Sequence, residues 1–192
     1  MVDYGRRFLI VLIIAVCIGL MFMGGKVSKA AELSVNQIPA NWIWPAEGAV
    51  SDHFGTRGGA HKGVDIAGSL HTDVLAVSDG VISKSYYSDS YGHVVFIRHP
   101  EEGFETVYAH LNKRLVQEGE KVKQGQIIGE MGNTGRSRGV HLHFEVHQHS
   151  WSAAKENAIN PLLVIERSVS IKNKENSSVE VISKQKGHLY GR

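Results

Sequence analysis

Three short segments carry residues that could do metal-assisted chemistry. The first is His141-Leu142-His143-Phe144-Glu145-Val146-His147. Read as a strand, it sends Leu142, Phe144 and Val146 to one face and His141, His143, Glu145 and His147 to the other. Imidazoles at i and i+2 then stand roughly 7 Å apart on a shared face. One can ligate a metal while its neighbour addresses a water or substrate bound there. Alone, a His-x-His pair is more often an exposed polar face. The second segment is His61-Lys62-Gly63-Val64-Asp65-Ile66-Ala67. It pairs two good zinc ligands, and Gly63 between them lets the backbone bend so that both side chains converge. The third is Tyr108-Ala109-His110-Leu111, at the end of an expected strand.

Together the segments offer His, Asp and His as three ligands, with two histidines to spare. Three protein ligands leave a fourth position for water, the arrangement of a catalytic rather than a structural zinc site. Zinc lowers the pKa of such a water towards about 7. Unligated imidazoles can orient the water, relay its proton and stabilise an oxyanion. That is the chemistry of peptide hydrolysis. Thiol chemistry is excluded downstream of the N-terminus, because Cys17 is the single cysteine and lies in an apolar stretch. The 11 histidines all follow residue 50, so metal ligation must use imidazole and carboxylate.

The elements that must position these residues read as strands. Short apolar runs at Val74–Val77, Gly80–Ser83, His93–Arg98, Glu105–Ala109, Gln126–Gly129 and Val140–His147 alternate with turn signals. Ser90–Gly92 and Glu101–Gly103 suit hairpin connections, and Glu118–Gly119 another turn. No segment carries twelve or more residues of 3.6 periodicity. The expected fold is all-β, an antiparallel sheet or barrel-like sandwich. With 192 residues and 42% hydrophobic content, the chain has room for one ordinary globular domain.

The ends differ in character from the middle. Arg6 and Arg7 precede an apolar run from Phe8 to Met23. Such a segment is a signal peptide or a membrane anchor through residues 8–23. Ser28 and Ala30 are suitably small for cleavage before Ala31. Either way, residues 42–165 are expected outside the cytoplasm, as a secreted domain or one anchored on the outer face of the membrane. Residues 31–41 read as a linker, and 166–192, rich in Ser, Lys, Glu and Asn, as a polar tail. The net charge of +2 comes from the N-terminus, and no basic patch points to nucleic acid.

The chain resembles the lysostaphin-type zinc endopeptidases from about Trp44 to Ile165. The resemblance rests on Ser51–Arg57 (SDHFGTR), His61–Ala67 (HKGVDIA), Ala76–Val81 (AVSDGV), Tyr108–Leu111 (YAHL), Gly125–Gly135 (GQIIGEMGNTG) and His141–Val146 (HLHFEV). It implies that His61, Asp65 and His143 bind one zinc ion per chain, and that His110 and His141 are catalytic. It also implies a small open β-barrel with the site in a groove, and peptidoglycan peptides as substrate. The chain departs from the family pattern at Arg136 and Arg138, where relatives often read Ser-Thr-Gly-Pro. His71 and His93 also stand where other residues are usual.

The remaining histidines, His53, His71, His93, His99, His147, His149 and His188, are expected to be surface or hydrogen-bonded residues. His147 shares the face of the site. Glu145 is a candidate partner for a ligand histidine, and Tyr86, Tyr87 and Tyr91 could wall a groove. Two rival functions use the same residues: a non-catalytic envelope scaffolding module, and a zinc amidase cutting the sugar–peptide link.

Overall fold

The computed structural model describes residues 41–165. The signal or anchor segment, nearly all of the linker, and the 166–192 tail with His188 lie outside the described residues. Among the described residues, no helix is long and apolar enough to cross a membrane.

Among the described residues ten strands follow one another: β1 Ala49–Asp52, β2 Val64–Ala67, β3 Asp73–Leu75, β4 Gly80–Ser88, β5 Gly92–His99, β6 Phe104–Arg114, β7 Lys121–Val122, β8 Ile127–Met131, β9 His141–Gln148 and β10 Ala158–Ile159. They form one open sheet whose main path runs β1-β2-β9-β6-β5-β4-β7. Every pairing in it is antiparallel. The all-β expectation holds. The runs expected at Gly80–Ser83, His93–Arg98 and Glu105–Ala109 are longer as β4, β5 and β6, whereas Val74–Val77 shortens to Asp73–Leu75 and the runs at Gln126 and Val140 shift by one or two residues. The hairpin turns fall between β4 and β5 and between β5 and β6.

Alternation buries both faces of the central strands. On one face Ile66, Leu142, Phe144, Val146, Ile97 and Tyr108 are fully buried. Each such side chain contributes roughly 1.5–3 kcal/mol of transfer free energy. On the other face Tyr91, Val94, Phe96, Val107 and Ala109 form a second cluster, against which Trp151 packs. Phe96 stands opposite Val107, and Val107 opposite Glu145. The face carrying Glu145 and His147 is therefore covered: both residues have zero exposure. The polar face expected from alternation exists, but it is an interior one.

The long strand β6 changes partners along its length. Up to Ala109 it pairs with β9, and from Leu111 it pairs with β8. One extra residue, His110, sits at the switch in the left-handed region, with φ 60°. Regular alternation would send His110 to the face of Tyr108 and Leu111 to the face of Ala109. The bulge re-aims both: Leu111 enters the core, and His110 joins the face of His143. A non-glycine residue held there costs about 1–3 kcal/mol.

Candidate metal centre

Asp65 on β2 and His143 on β9 are register partners, so their side chains leave the sheet side by side. Asp65 Oδ1 lies 2.7 Å from His143 Nδ1 and 3.0 Å from His61 Nε2, and the two ring nitrogens are 3.2 Å apart. All three residues are buried, and their ligand atoms lie within 4.8 Å of one another. Gly63 does not act by bending the chain, as the sequence suggested. It has no left-handed φ; a Cβ there would come 2.5 Å from the Phe144 carbonyl and 3.0 Å from His143 Cε1. The glycine leaves room for the His61–Asp65 loop to lie against β9.

The outward hydrogen bonds decide what the inward atoms offer. His61 Nδ1 donates to the His53 carbonyl at 2.7 Å, and His143 Nε2 to Glu145 Oε1 at 2.8 Å. Each neutral ring then turns a bare lone pair inward, at Nε2 of His61 and Nδ1 of His143. With the Asp65 carboxylate, three acceptors face one another. A cation is what such a donor set fits. The electrostatics favour a positive charge at the same point: burial opposes charge on His143, yet the Asp65 and Glu145 carboxylates raise its pKa, so without a metal a proton competes for Nδ1. Burial likewise opposes charge on Asp65, but His143 and His61 hold its pKa well below the usual carboxylate range.

His110 and His141 complete the floor of the site. Their ring centroids are 4.8 Å apart, and His110 lies 5.8 Å from His143. His110 Nδ1 donates to the Thr134 carbonyl at 2.8 Å, and His141 Nδ1 to the Gly139 carbonyl at 2.9 Å. His141 Nε2 comes within 3.6 Å of Asp65 Oδ1. Burial pushes the pKa of His110 down to about 4, so the ring is neutral at neutral pH.

A second layer holds the first. Glu145 Oε1 accepts from Tyr91 Oη at 2.8 Å, from His143 Nε2 at 2.8 Å and from Lys155 Nζ at 2.6 Å. Its Oε2 accepts from His147 Nε2 at 2.8 Å. Burial opposes its charge, but these donors keep its pKa well below normal. Arg57 bonds Asp65 Oδ2 at 2.7 Å while its Nε and Nη2 grip Asp52 at 3.0 and 2.8 Å. Of these, the sequence points to Glu145, His147 and Tyr91; Arg57 stands in the SDHFGTR motif but with no role assigned to its side chain, and Lys155 carries no signal.

All five histidine and aspartate positions named from the sequence come together, and four of them (Asp65, His110, His141 and His143) line an open groove of about 1240 Å³. Tyr91 lines it too, whereas Tyr86 and Tyr87 are exposed elsewhere. His71 pairs with Glu130 on the surface, His93 takes a hydrogen bond from Arg114, and His99 is buried against Asp79 and Thr106.

Comparison with known proteins follows the same residues. The model of peptidase family M23 matches residues 59–161. A "Lipoprotein NlpD/LppB homolog" of Pseudomonas aeruginosa is 44% identical over 125 residues, covering 63% of this chain and 40% of that protein. "Peptidoglycan DD-endopeptidase ShyC" of Vibrio cholerae is 49% identical over 86 residues, covering 45% of this chain and 20% of that protein. "Murein hydrolase activator NlpD" of Salmonella dublin is 37% identical over 135 residues, covering 70% and 34%. The chain thus spans well under half the length of these relatives. Among solved structures, the antimicrobial peptidase lysostaphin from Staphylococcus simulans matches with a TM-score of 0.60 and 29% identity, over 70% of this chain and 55% of that one.

Proposed function

Because the chain belongs to peptidase family M23, we propose that it is a zinc-dependent endopeptidase that hydrolyses peptide bonds of bacterial peptidoglycan. His61, Asp65 and His143 are the ligands of one zinc ion, and His110 and His141 the acid–base pair. One observation carries the reading. The three ligand side chains turn lone pairs toward a common point, with His110 and His141 tethered beside them.

When bound, zinc supplies a Lewis acid that polarises a carbonyl and brings the pKa of water towards about 7. The chain supplies the rest. His110 and His141 each spend Nδ1–H on a backbone carbonyl, which leaves Nε2 free to accept a proton from the attacking water and pass it to the leaving amine. The protonated ring of either residue can donate to the oxygen that gains charge. Arg57 and Glu145 hold the ligands Asp65 and His143 in orientation.

The domain spans residues 42–165 and works outside the cytoplasm, following an N-terminal signal or anchor. A second reading has a specific support: several relatives are named murein hydrolase activators. On that reading the groove binds a partner or the cell wall without turnover. The occupied His61, Asp65, His110, His141 and His143 positions favour the enzyme. Mass analysis of peptidoglycan fragments, with and without a chelator, tests it: shortened peptides with new free amines belong to the metal-loaded sample alone.

A further inference from the structure

The groove has an uncompensated positive rim. Four cationic side chains line it, Arg57, Arg136, Arg138 and Lys155, against two carboxylates, Asp52 and Asp65. Their pairings are unequal. Arg57 takes both carboxylates, and Lys155 is committed to Glu145. Arg136 and Arg138 are exposed, and among the described residues neither guanidinium has a hydrogen-bond or ion-pair partner. The excess is local to the groove, because residues 31–192 as a whole hold 17 cations and 18 acids.

The backbone that carries these two arginines is held in place. Arg136 N donates to the Ser90 carbonyl at 3.0 Å. Between the two, Ser137 Oγ donates to the Gly139 carbonyl at 2.8 Å and lies 3.2 Å from His141 Nδ1. The arginines therefore flank a residue in contact with the proposed acid–base histidine. Tyr91, Val140, Trp151 and Ala153 give the same groove apolar lining.

We propose that Arg136 and Arg138 select peptides that carry free carboxylates beside small apolar side chains, and disfavour neutral glycine chains. This rests on the peptidase reading and names its substrate class. A guanidinium holds a carboxylate through two parallel hydrogen bonds, which gives both orientation and discrimination against an amide.

The test compares peptidoglycan dimers bearing free stem carboxylates with the same dimers amidated at those carboxylates. Zinc-loaded wild type should cleave the free-carboxylate dimers with a kcat/KM about tenfold higher, the scale of one exposed charge-assisted contact. In the Arg136→Gln/Arg138→Gln double variant that ratio should fall towards one, with an unchanged melting temperature. Equal rates in the wild type, or discrimination that survives in the double variant, would overturn the proposal. Calorimetric binding to zinc-loaded His141→Ala separates this from the peptidase reading. If neither dimer is cleaved, tighter binding of the free-carboxylate dimer, lost with the two arginines, still supports the rim. Equal binding, or none, overturns it.

Discussion

Asp65 and His143 stand directly opposite one another on neighbouring strands, with Oδ1 and Nδ1 2.7 Å apart. A cross-strand pair is the shortest route by which an antiparallel sheet can bring two distant residues together. Its precision depends on how closely the His61–Asp65 loop can approach β9.

Gly63 sets that approach. A methyl group there would meet the Phe144 carbonyl at 2.5 Å. Gly63→Ala should cost roughly 1–3 kcal/mol, the usual scale of overpacking, and should weaken zinc binding by moving His143. Thermal melts and competitive zinc titration check both effects. Unchanged zinc affinity would mean that the close approach does not align the ligands.

Glu145→Gln keeps the shape of the side chain but removes the anion shared by His143, His147, Lys155 and Tyr91. Zinc affinity should fall about 10–100-fold, the usual worth of a residue behind a ligand. A chromophoric chelator in competition reads this directly. An affinity equal to wild type would reduce Glu145 to a packing role.

The metal-free protein should have a stability optimum near the ordinary histidine pKa of 6.5. His110 is lowered to about 4, so the unfolded chain binds its proton more readily, and stability is lost as pH falls from 6.5 towards 4. His143 is raised, so its contribution is full below 6.5 and is lost as pH rises through its higher folded value. Zinc needs the lone pair that this proton occupies. The rise in melting temperature on adding zinc should therefore grow as pH climbs above 6.5 and through the raised value of His143, where that ring gives up its proton. A pH-independent rise would contradict the histidine ligands.

Part of this site was legible in the sequence. Strand alternation alone put His141 and His143 on one face, and composition restricted ligation to imidazole and carboxylate. Two features were not. The bulge at His110 arises where β6 exchanges β9 for β8, a long-range event with no local signature. The burial of Glu145 depends on Trp151 and Lys155 folding back over β9, and a strand pattern cannot tell a face toward water from one under a loop. Gly63 stands out in the sequence for its backbone freedom, whereas the fold uses it for space.

Zinc content and peptidoglycan cleavage, measured together for wild type, His110→Ala, His141→Ala and His143→Ala, separate the ligand histidines from the acid–base pair. Wild type, His110→Ala and His141→Ala should each hold about one zinc, and His143→Ala should lose it. Cleavage should occur in wild type and fall roughly 10²–10⁴-fold in His110→Ala and His141→Ala, the usual worth of a positioned acid–base group. Full zinc in His143→Ala, or wild-type cleavage in both other variants, would contradict the assigned roles. A zinc-loaded wild type that cleaves no peptidoglycan would contradict the enzyme itself and leave the activator reading.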